Sequence, residues 1–187
     1  MLLHQKFKLK AGLALAGSLT VIALAAPGTA SAACTTGGLT SAKVDVCTPT
    51  QKAKLLPNGE LIPPKSAPPK VKAVIAAANK IRTKPYIYGG GHARWWDRGY
   101  DCSGAVSFAL RGGGFLESPL PSGPMAKWGE AGLGRWITVY SNPGHAYAVI
   151  AGVRWDTSGG SDGETGPRWR EDPGDPSGFV ARHPVGY

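Results

Sequence analysis

The sequence is poor in the residues that bind metal ions, and it lacks a phosphate-binding loop. It has 3 cysteines and 4 histidines among 187 residues, and none of them has the spacing of a set of zinc ligands. No GxxxxGK segment occurs, which excludes the common loop that cradles nucleotide phosphates. We therefore expect neither a metal ion nor any other cofactor.

Long apolar runs are also absent, except near the N terminus. Three lysines in the first ten residues precede an apolar run over residues 11–26, and small residues follow up to Ala32. This order is typical of a secretory signal peptide over residues 1–32, cleaved after Ala32. The run is shorter than the roughly 20 residues of a membrane-spanning helix. The sequence thus predicts a secreted or cell-envelope protein whose mature chain does not insert stably into a membrane.

Acidic residues are fewer than basic ones. Without residues 1–32, which hold three lysines and no acid, the chain keeps 18 basic and 12 acidic residues, a net charge of +6. A basic exported protein is attracted to anionic surfaces such as wall polymers or lipid headgroups. Charge alone would also allow nucleic acid as a partner, but export argues against it.

The few cysteines are informative because export implies an oxidising compartment, where thiols tend to pair. Cys34 and Cys47 lie close together in sequence and are predicted to form a disulfide. Cys102 is then left as a free thiol that needs an explanation.

Proline marks the predicted domain boundary. Residues 33–69 are interpreted as an N-terminal extension, and six prolines between residues 48 and 69 predict a stiff, extended linker. A single compact domain over residues 70–187 is expected to follow.

Helices are predicted in the first part of this domain and strands in the second. Apolar residues at helical spacing predict a helix after Pro69, with Val71, Val74, Ile75, Ala78 and Ile81 buried. A second helix is predicted from Cys102, capped by Asp101 and ended by the glycines at 112–114. Four β-type runs follow, at residues 135–140, 145–151, 153–157 and 179–183, with a long loop over 158–178. This order favours the α+β class.

Cys102 is the candidate nucleophile. The positive end of a helix dipole lowers the pKa of a thiol at the first helical position, and the thiolate is the reactive form. The N–H groups of that first turn lack helical partners, so they can bind an oxyanion. Ser103 belongs to this turn and adds little bulk beside the sulfur, which makes it a candidate for substrate or oxyanion binding.

His145 is the candidate base, because it opens a predicted strand at the edge of the sheet. If residues 151–152 form a two-residue hairpin turn, Asp156 lies on the same face as His145 and diagonally across from it, where it can orient the imidazole. A register slip of one residue would turn Asp156 away. His183 is the alternative third residue.

Several segments together resemble the NlpC/P60 cell-wall peptidases. They are Pro85-Tyr86-Ile87-Tyr88-Gly89-Gly90, Tyr100-Asp101-Cys102-Ser103-Gly104, and Gly144-His145 at the start of a strand. The resemblance covers about residues 70–187 and implies a papain-like α+β core with helices packed on an antiparallel sheet. It implies Cys102 as nucleophile, His145 as base and Asp156 as third residue, with the Tyr86 hydroxyl near the nucleophile, where it can help to bind substrate or the oxyanion.

The resemblance also implies a substrate. NlpC/P60 peptidases usually cleave the D-glutamyl–diaminopimelate bond of peptidoglycan stem peptides. This chain departs from the family pattern along the strand of His145 and in its longer loop over 158–178. Two alternatives therefore stay open: a catalytically inactive wall-binding module, and an amidase, transpeptidase or toxin that uses the same cysteine and histidine.

Overall fold

The computed structural model describes residues 52–158 and 165–187, and the fold is given for these ranges. In chain order the described elements are β1 (Lys54–Leu55), β2 (Leu61–Ile62), α1 (Pro69–Ile81), α2 (Cys102–Gly112), α3 (Ser122–Met125), β3 (Glu130–Ala131), β4 (Ile137–Ser141), β5 (Ala146–Ile150), β6 (Val153–Asp156), β7 (Arg168–Arg170) and β8 (Val180–His183). Helices α1 and α2 precede an antiparallel sheet, so the predicted α+β class is confirmed.

Helix α1 forms because its apolar residues recur on one face and proline stands only at its start. Pro69 occupies the first turn, where a missing N–H costs nothing. The buried residues of the helix include the five that the periodicity predicted, Val71, Val74, Ile75, Ala78 and Ile81. This face packs closely against α2 because the end of α2 has no side chains, and a Cβ on Gly113 would lie 2.6 Å from Val74 Cγ2.

Strands β4, β5 and β6 form the centre of a sheet with the order β3-β8-β4-β5-β6-β7, in which all neighbours are antiparallel. A two-residue turn joins β5 to β6 at residues 151–152, whose φ angles of 48° and 77° suit a type I′ turn. Ala148 pairs with Trp155. This register places Asp156 on the same face of the hairpin as His145, as predicted.

The side of the sheet that faces the helices is apolar. Ala146, Ala148 and Ile150 are fully buried there, and the indole N–H of Trp155 donates a 3.0 Å hydrogen bond to the carbonyl of Ala105 in α2. The sheet therefore fixes the position of α2, and with it that of Cys102, relative to β5.

One strand lies within the stretch that was predicted to be a loop over 158–178. Strand β7 pairs with β6, with Trp169 opposite Trp155, and the rings of these two residues lie 4.8 Å apart. Trp169 is buried, whereas its neighbours Arg168 and Arg170 are only half-buried. Three residues are too short for an alternating pattern to stand out in the sequence, so the prediction was wrong here.

The prediction of an extended linker is also wrong for residues 52–68. Strands β1 and β2 pair as a hairpin, and Leu61 is fully buried in the core. The side chain of Asn79 accepts a hydrogen bond from Leu61 N–H and donates one to its carbonyl. The prolines of this stretch stand in the turn and after β2, where they remove no sheet hydrogen bond.

The predicted signal peptide over residues 1–32 and the predicted disulfide between Cys34 and Cys47 lie outside the described residues. Within residues 52–158 and 165–187, no helix is long and apolar enough to cross a membrane.

Candidate active site

Cys102 occupies the first position of α2, as the sequence predicts. Asp101 caps the helix, and its Oδ1 accepts a 2.7 Å hydrogen bond from Gly104 N–H. The thiol is free and partly exposed. A capped helix N-terminus thus holds a sulfur that solvent can reach.

The surroundings of the Cys102 thiol favour its thiolate form. Partial burial raises the pKa of the thiol. Hydrogen bonds from the His145 side chain and from the backbone N–H of Ala146, together with the charge of His145, outweigh that effect, so the pKa is lowered from its ordinary value. The start of β5 therefore supplies both an imidazole and an N–H group to the sulfur.

His145 lies between the thiol and a carboxylate. Its Nε2 is 2.9 Å from Asp156 Oδ1, which leaves Nδ1 for the thiol, and Ser158 Oγ lies 3.2 Å from the same Nε2. The hydrogen bond to Asp156, followed by that to Cys102, raises the pKa of His145 to about 9 against the opposing effect of burial. The pairing of Asp156 with the imidazole was predicted from the hairpin register.

His183, the alternative third residue, lies elsewhere. Its Nε2 is 3.2 Å from Glu130 Oε2 and its Nδ1 is 3.2 Å from the carbonyl of Gly132. These contacts join β8 to β3, at the edge of the sheet. The described residue that holds the His145 imidazole is therefore Asp156 and not His183.

Tyr86 lies near the nucleophile, where the resemblance places it. Its backbone is tied to the segment before α2, because Tyr100 N–H donates to the Pro85 carbonyl and Ile87 N–H donates to the Tyr100 carbonyl. Partial burial raises the pKa of the Tyr86 hydroxyl, and the negative charges of Cys102 and Asp101 raise it further. Tyr86 is 41% exposed, so its phenol is a surface group that can act as a neutral hydrogen-bond donor.

The Ser103 side chain takes part in the cap of α2. Ser103 is buried, and its Oγ lies 3.2 Å from Asp101 Oδ1 and 3.1 Å from His92 Nε2. The hydroxyl therefore belongs to the network that caps α2, and only the backbone N–H of Ser103 is left to serve an oxyanion.

His92 was not singled out by the sequence analysis. Its Nε2 lies 3.0 Å from Asp101 Oδ1, and the other oxygen of that carboxylate accepts from Gly89 N–H. The glycine-rich loop around His92 thus wraps the cap of the nucleophile helix. The available signal was the position of a histidine in that loop, ten residues before the cysteine.

Arg154 was also missed. Its side chain is 7% exposed, and Nε lies 3.6 Å from Asp156 Oδ2, the oxygen that does not contact His145. An arginine two positions before an aspartate in a strand does not indicate a functional contact in the sequence. The contact becomes evident only when both faces of the strand are known to be buried.

Among the described residues, no group of three or more histidine, cysteine or acidic side chains is arranged to hold a metal ion. The groups that the described site brings together are a thiol, an imidazole, a carboxylate and a phenol.

Fold and site together define an α+β protein with a cysteine–histidine–aspartate arrangement of the kind found in thiol hydrolases. Its structure is similar to those of NlpC/p60 domain proteins. RipD from Mycobacterium tuberculosis, described as a non-catalytic NlpC/p60 domain protein adapted to peptidoglycan binding, matches with a TM-score of 0.47 and 19% identity over 63% of this chain and 98% of RipD.

Two other solved structures are similar over a smaller share of their own chains. The Resuscitation Promoting Factor Interacting protein RipA has a TM-score of 0.44 and 22% identity over 60% of this chain and 61% of the RipA chain. The peptidoglycan hydrolase RipB from Mycobacterium tuberculosis has a TM-score of 0.43 and 27% identity, over 60% and 64% of the two chains. No protein-family model and no curated protein matches the chain.

Proposed function

We propose that this protein is a secreted cysteine peptidase that hydrolyses peptidoglycan stem peptides with Cys102, His145 and Asp156. One observation carries the proposal: His145, whose side chain lowers the pKa of the Cys102 thiol, has its Nε2 2.9 Å from Oδ1 of the buried Asp156. The pKa of the thiol is lowered while that of His145 is raised to about 9. A thiolate–imidazolium pair is the resting form that this arrangement favours.

In the first half of the reaction, the Cys102 thiolate attacks the scissile carbonyl carbon. The negative charge moves to the carbonyl oxygen, where the N–H groups at the start of α2 and the Tyr86 hydroxyl can donate hydrogen bonds. The His145 imidazolium then gives its proton to the leaving amine, and the C–N bond breaks. A thioester on Cys102 remains, together with a neutral imidazole.

In the second half, water resolves the thioester. His145 takes a proton from the water as its oxygen attacks the carbonyl carbon, and collapse of the tetrahedral intermediate breaks the C–S bond. The products are a carboxylic acid and the regenerated thiolate–imidazolium pair. Asp156 keeps Nε2 of the imidazole occupied throughout, so that Nδ1 stays directed at the sulfur.

The substrate class rests on sequence features. The signal-peptide pattern over residues 1–32 and the net charge of +6 on the remaining chain favour an exported protein that meets the anionic cell wall. The resemblance to the NlpC/P60 peptidases favours the D-glutamyl–diaminopimelate bond of the stem peptide.

The test is digestion of purified peptidoglycan, with mass spectrometry of the released fragments. The wild-type protein is expected to release fragments with a new amine and a new carboxylate, and Cys102→Ala is expected to release none. Asn58→Ala, an exposed substitution in the turn between β1 and β2, is the control and should match the wild type. Identical product profiles for wild type and Cys102→Ala would refute the proposal.

The same experiment separates the alternatives. Retention of both proteins on insoluble peptidoglycan without any product would indicate a binding module. A product joined through a new amide would indicate a transpeptidase, and cleavage between glycan and peptide would indicate an amidase.

A further inference from the structure

The side of the sheet that faces away from the helices carries a buried arginine beside the candidate catalytic carboxylate. Arg154 and Asp156 stand two residues apart on β6 and so point to the same face. Asp156 uses Oδ1 for His145, whereas Oδ2 lies 3.6 Å from Arg154 Nε. The carboxylate is thus bracketed by an imidazole on one oxygen and a guanidinium on the other.

A segment between β7 and β8 covers this arginine. Asp172 Oδ2 lies 3.8 Å from Arg154 Nη1. Gly174 has a φ angle of 78°, and any Cβ there would collide with Nη1. The ring of Phe179, which ends the segment, lies 6.2 Å from that of His145. Residues 171–179 therefore press the guanidinium onto the sheet next to the candidate site.

Burying a guanidinium here is costly. Taking a charge out of water costs several kcal/mol unless it is well paired, and β7 places Arg170 directly opposite Arg154, a like-charge neighbour. An apolar side chain of similar length would fill the same space at lower cost. The arrangement is therefore better explained by what Arg154 does to Asp156 than by stability.

We propose that Arg154 is a positioning residue of this site, which holds Oδ2 of Asp156 and offsets part of its charge so that His145 keeps its partner and can still release its proton. The proposal rests on the proposed function only in giving His145 a proton to transfer. With Arg154 neutralised, the buried carboxylate of Asp156 loses a close positive neighbour, so the imidazolium binds its proton more tightly.

Other charged and titratable groups also face this cluster, and they are unchanged in the variants that neutralise Arg154. They are Cys102 and Asp101 at the start of α2, Tyr140 on β4, Tyr147 on β5, Arg168 and Arg170 on β7, and Asp172 and Asp175 in the covering segment. A shift in the His145 titration that appears only when Arg154 is replaced is therefore attributable to that residue.

The experiment measures the His145 titration directly, by NMR of protein labelled at histidine and assigned with His145→Gln. Wild-type His145 should titrate with a pKa of about 9. Arg154→Met should raise that pKa by at least about half a unit. Arg154→Lys keeps the positive charge, so its His145 pKa should lie close to the wild-type value. Arg182→Met is the matched control. It removes a guanidinium that donates to the Trp128 carbonyl, and it should leave the titration unchanged.

The outcomes are decisive in both directions. An unmoved or lowered His145 pKa in folded Arg154→Met, or an equal rise in Arg182→Met, would overturn the proposal. If Arg154→Met does not fold, Arg154→Gln makes the same neutralisation with a polar side chain. If neither folds, Asp172→Asn is the deciding variant, because it removes an exposed carboxylate that partners Arg154. The pKa of His145 should then fall slightly at low ionic strength. An unchanged pKa would count against the proposal.

Activity measurements keep the two proposals apart. Where the wild type digests peptidoglycan, the basic limb of its pH–rate profile should move upwards in Arg154→Met with the NMR titration. Where the wild type digests nothing, the proposed function fails, but the titration still reports whether Arg154 acts on His145 through Asp156.

Discussion

Folding shifts the pKa values of the Cys102 thiol and the His145 imidazole in opposite directions. A free histidine titrates near 6.5 and a free cysteine near 9, whereas here the thiol pKa is lowered and the pKa of His145 is about 9. Both shifts favour an exchange in which the proton lies on the ring rather than on the sulfur.

This exchange predicts how stability depends on pH. The raised pKa of His145 contributes stability that is present below pH 6.5 and is lost as pH rises through about 9. The lowered thiol pKa contributes stability that is present above its unfolded value of 9.0 and is lost as pH falls. In the wild type the two trends oppose each other. Cys102→Ala removes the second trend and leaves Asp156, the largest cause of the raised His145 pKa, so its unfolding free energy should fall more steeply than that of the wild type as pH rises above 6.5.

Urea unfolding at pH 6, 7.5 and 9 measures this difference. The double variant Cys102→Ala, Asp156→Asn is the control, because it also removes the main cause of the raised His145 pKa and should show a flatter profile. Parallel profiles for wild type and Cys102→Ala would contradict the exchange.

Individual residues could be predicted where the signal was local. Asp101 and Cys102 were placed by capping rules alone, and Asp156 followed from a two-residue turn that fixes the register. His92 and Arg154 could not be predicted, because their partners depend on a loop that wraps a helix end and on a segment that folds back over the sheet.

At the scale of elements, the position of α2 depends on close packing against the glycine-rich loop before it. A Cβ on Gly104 would collide with the carbonyl of Gly90 and lie 3.1 Å from Asp101 Oδ1. The Gly90 carbonyl in turn accepts a hydrogen bond from Asp101 N–H. The first turn of the nucleophile helix thus has no room for a side chain at this position.

Gly104→Ala should therefore destabilise the fold by about 1–3 kcal/mol and slow the alkylation of Cys102, because the helix end has to shift away from the loop. Chemical denaturation and the rate of iodoacetamide labelling measure the two effects. Gly123→Ala is the matched control, since no atom outside its chain neighbours and the backbone of its own helix lies within 4 Å of a Cβ there. Equal stability of the two variants would be inconsistent with a tight helix–loop contact.

Long periodic elements were predictable, and very short ones were not. Helices α1 and α2 repeat their apolar residues over several turns, and the central strands alternate over four or five residues. Strands β1, β2, β3 and β7 have only two or three residues. Their pairing is decided by the partners they meet in the folded chain, which a local pattern does not contain.

At the scale of the whole molecule, one side chain joins the N-terminal hairpin, the first helix and the last part of the sheet. Asn79 Oδ1 accepts hydrogen bonds from Leu61 N–H and from the indole N–H of Trp169, at 3.0 and 2.8 Å, and its Nδ2 donates to the Leu61 carbonyl. Residues separated by 18 and by 90 positions in the chain thus meet at a single amide.

Asn79→Ala should lower the unfolding free energy by about 2–3 kcal/mol, because it leaves partly buried polar groups of β2 and β7 without partners. Differential scanning calorimetry measures the loss. Asn58→Ala, which removes a single exposed hydrogen bond to Glu60 N–H, should change stability much less. A similar loss in both variants would show that Asn79 does not join these elements.

The hairpin of β1 and β2 has a practical consequence for anyone who wants to move this enzyme-like unit into another protein. A transplant that starts at the proline-marked position near residue 70 would leave behind Leu61, which fills the core next to α1. It would also remove the Leu61 carbonyl, to which Asn79 Nδ2 donates a hydrogen bond. The transplanted segment has to begin no later than residue 52. The proline-rich stretch that looks like a linker in the sequence is therefore part of the folded domain.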